Sequence, residues 1–550
     1  MSDPVAETFD AAAACHEQGR FDEALKLYNQ VLALSPHYPS ALHGLGLLAL
    51  QHGHFLAAIE ALGGAVAGAP EHTGYRNALG EALRLNGRLE EAAEVFEVVL
   101  ALDPNHAGAA NNLGITRHAQ GRLDEACQLY RRAITLMPEN VNALTNLGVA
   151  LTGAGSFGEA RGVLERARIL APGAPAVALN LGNLHLQQGE AEQAEVLYRD
   201  ALRLDPGSAA AQVNLGRALK EQGRVAEALS ACIKAKSLDP NLAAAHWNEG
   251  LCRLLLGDFV RGWQGFAWRW RADAVPPHGL ALPEWAGEPL ARRHLLVHAE
   301  QGLGDTLQFV RFLPRLRRLA PASVTLLCQP ALTELLRDVP GADRVIGPEC
   351  DLGACDLRVP LLELPLRLGV GLADLSDGLP YLAAKPALAE IWRRRLGQVS
   401  GKRVGLVWKG RPQHANDRNR SMRLDMYRPL FALEGISWVS LQKEPDDAER
   451  TLLAGAGIAD LGDELVTLDD TAAAINACDL VVSVDTSVAH LAGALGQPVW
   501  ILLPMVPDWR WLMGRADTPW YPSAKLFRQP ARGDWTSVVN AVARGLSAAW

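Results

Sequence analysis

The sequence predicts an α-helical superhelical solenoid followed by an α/β region made of two parallel-sheet domains. Three observations carry this reading. Proline, glycine and alanine recur every 34 residues through the first half. Short apolar runs alternate with helical patterns through the second half. A segment rich in tryptophan, proline and glycine lies between the two.

The repeat holds several registers at once. Prolines stand at 36, 70, 104, 138, 172, 206 and 240, and glycines at 46, 80, 114, 148, 182, 216 and 250. A second glycine series runs 19, 53, 87, 121, 155, 189, 223 and 257, and alanines recur at 24, 58, 92, 126, 160, 194 and 228. Apolar residues between them keep helical spacing, so each unit holds two helices. The glycine of "QGR" or "NGR" breaks the chain between the helices. The early glycine and the alanine let the pair approach closely. The proline ends the second helix. This is the tetratricopeptide pattern at its usual period. About seven repeats and a capping half-repeat from near Leu242 fill residues 1–272.

One polar residue follows the same step. Asn112, Asn146, Asn180, Asn214 and Asn248 each stand two residues before the early glycine, while Gly44 and Ala78 hold the matching places in the first two full units. An amide both donates and accepts. Such a line either grips an extended polypeptide by its backbone or bonds neighbouring helices to one another. The cap "GDFVRGWQGFAWRW" carries Trp263, Trp268 and Trp270 and predicts a fixed junction with the second half of the chain.

Beyond the junction, six apolar runs read as strands: 294–299, 323–328, 403–409, 437–442, 479–484 and 498–503. Helical stretches between them predict crossover connections and parallel sheets. "PYLAAKPALAE" reads as a seam, giving one α/β domain over 273–385 and a second over 386–550. Ligands in such sheets bind beyond the carboxyl ends of the strands.

Composition narrows the class. A net charge of −8 over 550 residues argues against a general nucleic-acid binder. The eight cysteines form no CxxC and read as ordinary thiols. The opening "MSDPVAETFD" lacks a basic-then-apolar leader pattern, and no run approaches the ~20 apolar residues of a membrane span, so a cytoplasmic location is expected. His294 and His298 share a strand face without a third ligand, so no metal site is expected there.

Chemistry concentrates in three segments. "EQGLGDTLQF" (300–309) follows the first strand but lacks the third glycine of a dinucleotide loop, and it carries Asp305. "VDTSVAHLAGALG" begins at a strand end: Asp485 precedes Thr486 and Ser487 at a helix start, and His490 lies one turn in. A helix N-terminus attracts phosphate through unpaired N–H groups. "WKGRPQHANDRNRS" (408–421) places Lys409, Arg411, Arg418 and Arg420 in a polar loop, where cations would neutralise a leaving diphosphate.

Together with "GWQGFAWRW", "VGLVWKG", "SLQK" and "PDWRW", these segments resemble O-linked N-acetylglucosamine transferases, their bacterial repeat-bearing relatives, and heptosyltransferases. The resemblance implies a two-domain GT-B fold and a metal-independent, inverting transfer from a nucleotide sugar, with no other cofactor. It implies Asp305 as general base, across a cleft from the donor. It implies Asp485, Thr486, Ser487 and His490 as the donor segment, Lys409 and Arg420 as donor-phosphate cations, and Gln442 beside the nucleotide base. The asparagine series is similar to a ladder that holds acceptor polypeptides. The expected function is a protein O-glycosyltransferase acting on Ser or Thr of an acceptor, such as a flagellin-like protein, held by the repeats. Two alternatives stand: a repeat scaffold with an inactive GT-B half, and a heptosyltransferase-like enzyme acting on a glycan or lipid.

Overall fold

The structure, a computed structural model, describes residues 4–272, 274–275, 278–397, 401–413 and 416–550. Pro276 and Pro277 of the junction, and His414 and Ala415 of the basic loop, lie outside the described residues. The chain forms two compact units, Met1–Ala211 and Gln212–Trp550.

The first unit is a series of antiparallel helix pairs. Each pair repeats one geometry, as in Ala107–Ala119 with Leu123–Leu136 and Val141–Gly153 with Phe157–Leu170. The early glycine is a packing requirement. A Cβ at Gly114 would sit 2.6 Å from the ring of Tyr130, and one at Gly148 would sit 2.4 Å from Leu164. The later glycine is a conformational one, because Gly121 and Gly155 take φ of +78° and +76° where the first helix ends. Ala126 and Ala160 are fully buried between the helices. Where proline does not open the first helix, a side chain caps it: His106 accepts from the Ala109 N–H and Asn140 from the Ala143 N–H.

The asparagines in this unit bond to one another. Asn146 donates to Asn111 (3.0 Å), Asn111 to Asn112 (3.4 Å) and Asn112 to Asn77 (3.3 Å). The amides thus run as a chain through three successive first helices. Asn180 accepts from its own helix neighbour Asn183.

The second unit begins with helical repeats and ends in two parallel sheets. The pair Ala243–Leu255 and Phe259–Phe266 is closed by a 3-10 turn, Ala267–Trp270. The two helices approach most closely where Gly250 and Gly265 meet backbone to backbone: a Cβ at Gly250 would lie 2.6 Å from the Gly265 carbonyl carbon. In this unit Asn248 donates to the Ala244 carbonyl of its own helix.

The first sheet holds β1 (His294–His298), β2 (Ser323–Leu327), β3 (Arg344–Ile346) and β4 (Leu357–Pro360) in the order β3-β2-β1-β4. The second holds β5 (Lys402–Val407), β6 (Ile436–Ser440), β7 (Ala459–Asp460), β8 (Leu480–Val484), β9 (Val499–Leu503) and β10 (Ala524–Arg528) in the order β10-β9-β8-β5-β6-β7. Every pairing is parallel. The chain order reverses between β1 and β4 in one sheet and between β5 and β8 in the other. These are the two topological switch points, where open α/β sheets take their ligands.

Candidate functional site

The segments singled out in the sequence gather at these switch points. Asp305 lies in the short helix Leu303–Phe309 after β1. Its Oδ2 accepts the Gly302 N–H at 2.8 Å, the reach of an acid at the third helical position back to the N-cap. Its Oδ1 accepts from Nη2 of Arg510. Each oxygen therefore holds one donor and keeps a second lone pair, so the carboxylate is fixed in direction without being saturated.

Arg510 is the hub. It is 7% exposed and its guanidinium also donates to Asp508 Oδ1 (2.8 Å) and to Gln308 Oε1 (2.7 Å), while stacking 4.3 Å from the Trp509 ring. Burial works against its charge, but Asp508 and Asp305 keep it protonated.

After β8, Asp485 leads into the helix Ser487–Ala494, whose N-cap Thr486 makes no side-chain cap. Thr486 shares its hydroxyl with Ser483 instead (3.1 Å). The first N–H groups of this helix are thus not taken by a capping side chain, as an anion site requires. Arg420 donates to the Asp485 carbonyl at 2.9 Å and pairs with Asp417 at 3.3 Å, which brings one cation of the basic loop to the β5/β8 switch point.

His490 is packed on every side. Its ring stacks on Trp511 (5.2 Å between centroids, 23°), its Nδ1 meets the Tyr521 hydroxyl at 3.0 Å, and its Nε2 lies 3.8 Å from Asp485 Oδ1. Burial, then the nearby Arg510, pushes its pKa down to about 3. The Asp485 carboxyl moves the other way, up to about 6, by burial and the charge of Asp508, against the pull of Trp511, Arg420 and Arg510. Opposite shifts on adjacent groups are a frequent mark of a working site.

The two loops meet directly. A Cβ on Gly304 would lie 2.9 Å from His490 Cδ2 and 3.5 Å from Ser487 Cα. The resemblance puts the "GLGD" and "VDTS" segments on opposite sides of a cleft; at Gly304 they are in contact. Gly304 lies inside the helix Leu303–Phe309 and Gly302 has φ −72°, so space for the neighbouring helix, and not a strained turn, is what Gly304 supplies.

Two expected donor contacts are engaged inside the protein. The Gln442 carbonyl accepts from the N–H groups of Trp408 (3.2 Å) and Lys409 (3.1 Å), clamping the end of β5. The Lys409 ammonium pairs with Glu449, which also takes the indole N–H of Trp408.

Comparison with known proteins agrees with this architecture. Tetratricopeptide repeat families match residues 43–107 and 179–243, 117–184 and 151–198, and 95–128, and a TPR repeat family matches 12–53. Glycosyltransferase family 9 (heptosyltransferase) matches residues 461–503. The chain thus carries tetratricopeptide repeats followed by an α/β half in which one segment, residues 461–503, is similar to glycosyltransferase family 9. Protein FlbA of Caulobacter vibrioides is 27% identical over 334 residues, covering 53% of this chain and 53% of that protein. The chain thus spans about half the length of the curated relative it matches. Among solved structures, a tetratricopeptide repeat protein from Parabacteroides merdae aligns over 45% of this chain and 98% of its own, at 16% identity and TM-score 0.40. PilF of Pseudomonas aeruginosa aligns over 38% of this chain and 94% of its own, at 26% identity and TM-score 0.33.

The family 9 match spans β8, the Asp485–Ser487 turn and the helix carrying His490. Sequence reasoning passed over the residues that tie this α/β half together: Arg510, Asp508, Gln308 and Glu300. "PDWRW" is visible as a motif, but an arginine between tryptophans carries no role until its carboxylate partners are known.

Proposed function

We propose that the chain is a metal-independent, inverting glycosyltransferase that moves a sugar from a nucleotide sugar to Ser or Thr hydroxyls of an acceptor protein held by the repeats. The nucleotide sugar lies at the β5/β8 switch point. The uncapped N-terminus of the helix at Ser487 and the Arg420 guanidinium face its diphosphate and offset the charge that develops as it leaves. The acceptor oxygen attacks the anomeric carbon, its proton passes to Asp305, and the bond from that carbon to the diphosphate breaks. An oriented base of this kind typically contributes ~10²–10⁴-fold in rate. Asp485 and His490 support the donor segment from beneath, with burial favouring the neutral form of each. Asn112, Asn146, Asn180 and Asn248 keep N–H and lone-pair capacity for a peptide backbone, since each amide offers two donors and two acceptor sites.

The observation that carries this reading is the convergence of Asp305, from one sheet, on the Asp485–His490 segment of the other, with Arg510 joining them. Intact-mass measurement of acceptor candidates co-expressed with the protein tests it. A sugar-sized increment that is lost in Asp305→Asn supports protein transfer, and nucleotide-sugar turnover with no increment on any protein favours a glycan or lipid acceptor.

A second reading has its own observation. Lys409 and Gln442 are spent on Glu449 and on backbone N–H groups. That favours a repeat scaffold whose GT-B half senses a ligand without turnover, and it predicts nucleotide-sugar binding with no release of nucleotide.

A further inference from the structure

The first sheet has a switch point of its own, between β1 and β4, and it is filled. Glu300 follows β1 and Glu363 follows β4. Between them lies Arg269, from the 3-10 turn that closes the helical repeats, with no exposed surface. Its guanidinium donates twice to Glu300 Oε1 (2.6 and 3.0 Å), once to the Phe266 carbonyl (3.2 Å), and lies 3.5 Å from Glu363 Oε1. Trp270 adds its indole N–H to the same Glu363 oxygen at 3.2 Å. Elsewhere in this cap, the Trp268 ring stacks on His246, and Trp263 packs edge-on against Trp509 (5.3 Å) and Phe309 (6.1 Å). Trp509 adjoins Arg510, and Phe309 closes the helix that carries Asp305.

The cap therefore grips the site from two directions: through Glu300 before Asp305 and through Trp509 and Phe309 beyond it. Glu300 is unusual in itself. Its side chain is 1% exposed and its Oε2 is buried without a hydrogen-bond partner among the described residues. The donors to this carboxyl come from Arg269, so the loop Glu300–Asp305 has an anchor in the repeats beside the one its own sheet supplies, where Gln329 after β2 donates to the Gln301 carbonyl at 2.7 Å.

We propose that Arg269 is a positioning residue for the Asp305 loop: the last turn of the helical repeats occupies the ligand crevice of the first sheet and sets the place of the base by holding Glu300. This rests on the glycosyltransfer reading only for its effect on turnover; the anchoring itself stands on the contacts above. An aromatic and ionic plug at that switch point leaves the second sheet's crevice to the donor and makes the final repeat a part of the site.

The test uses the full-length chain with Arg269→Gln, Arg269→Lys and Glu300→Gln. Amide hydrogen exchange is read over residues 301–306, and nucleotide release and nucleotide-sugar affinity are measured beside it. Arg269→Gln is expected to speed exchange in the loop and to lower kcat by about 10- to 100-fold with donor Kd within about twofold, because small misplacement costs rate and not ground-state binding. Arg269→Lys, a point charge in place of a fork, is expected to fall between, and Glu300→Gln, which keeps an accepting oxygen but leaves the buried guanidinium without its charge partner, to loosen the loop in the same direction. If Arg269→Gln fails to fold, Arg269→Lys decides by the same readings. Unchanged exchange in the loop overturns the proposal, and so does a loss that appears in donor Kd and not in kcat. If the parent protein turns over no nucleotide sugar, the glycosyltransfer reading fails while the exchange result still decides the anchoring.

Discussion

The guanidinium of Arg510 donates to the carboxylate of Asp305, 205 residues earlier in the chain, and both lie where the helix after β1 meets the helix after β8. That ion pair joins the two sheets at the point where the candidate chemistry sits. It is mostly buried, with side-chain exposures of 8% and 20%. Removing one partner of such a pair costs more than the pair contributes, because the other charge is left without compensation.

Arg510→Met is accordingly expected to destabilise the second unit by about 3–5 kcal/mol. Asp508 and Asp305 both lose the guanidinium, and each is left with a backbone N–H donor alone to offset its charge. Urea unfolding followed by tryptophan fluorescence checks this, since Trp509 and Trp511 flank the site. A loss under about 1 kcal/mol, the range of a surface pair, contradicts the role assigned to Arg510.

Gly304→Ala sets two effects against each other. Alanine favours the helix by up to about 1 kcal/mol, whereas forcing a methyl into a packed contact costs about 1–3 kcal/mol. The contact is the edge of the His490 ring, which is held by Trp511 and Tyr521. The clash is expected to win, with a net loss of stability in thermal melts. The double variant Gly304→Ala, His490→Ala should lose less than the sum of the two single changes.

The Asp485 carboxyl gives a pH signature. Its folded pKa of about 6 lies above the unfolded value of 3.8. Its contribution to stability is therefore full below pH 3.8 and is lost as pH rises through about 6. Asp485→Asn removes that loss, so the variant should gain on the parent by about 1–3 kcal/mol between about pH 4 and pH 7, with no further gain above. His490 acts in the opposite sense: its folded value of about 3 lies below 6.5, so its contribution is present above pH 6.5 and is lost on acidification. In the parent the two largely cancel, and the difference between variant and parent isolates Asp485.

The amide chain in the repeats makes a separate prediction. Asn111 is 8% exposed, accepts from Asn146 and donates to Asn112. Asn111→Leu leaves both neighbours short of a partner and is expected to cost about 1–3 kcal/mol in the first unit. Asn180→Ala breaks only a bond within its own helix and should stay within about 0.5 kcal/mol. Denaturant titrations of the two variants, compared with the parent, distinguish these outcomes.

The repeats were the most legible part of the chain, because each register has a local cause. Gly121 must take a left-handed φ, Gly114 must make room for Tyr130, and Ala126 must vanish between helices; all three demands show in one sequence. The six apolar runs were legible as strands for the same reason. β3, β4, β7 and β10 were not: they are two to five residues long, and their pairing comes from neighbouring strands and not from their own pattern. At the site, Asp305, Asp485 and His490 were visible from their loops. Arg510, Asp508 and Glu300 were not, because their importance lies in partners that only folding brings near. The asparagine series shows the limit of a one-dimensional pattern: spacing marks a line along the helices, and it does not say that Asn77, Asn111, Asn112 and Asn146 satisfy one another.

The most direct test of the account compares the parent protein with Asp305→Asn in two measurements on the same samples: binding of a nucleotide sugar chosen by thermal stabilisation, and release of its nucleotide in the presence of acceptor protein. The account predicts donor affinity unchanged within about twofold and nucleotide release reduced by about 10²–10⁴-fold, as loss of an oriented base requires. Normal turnover in Asp305→Asn would contradict it.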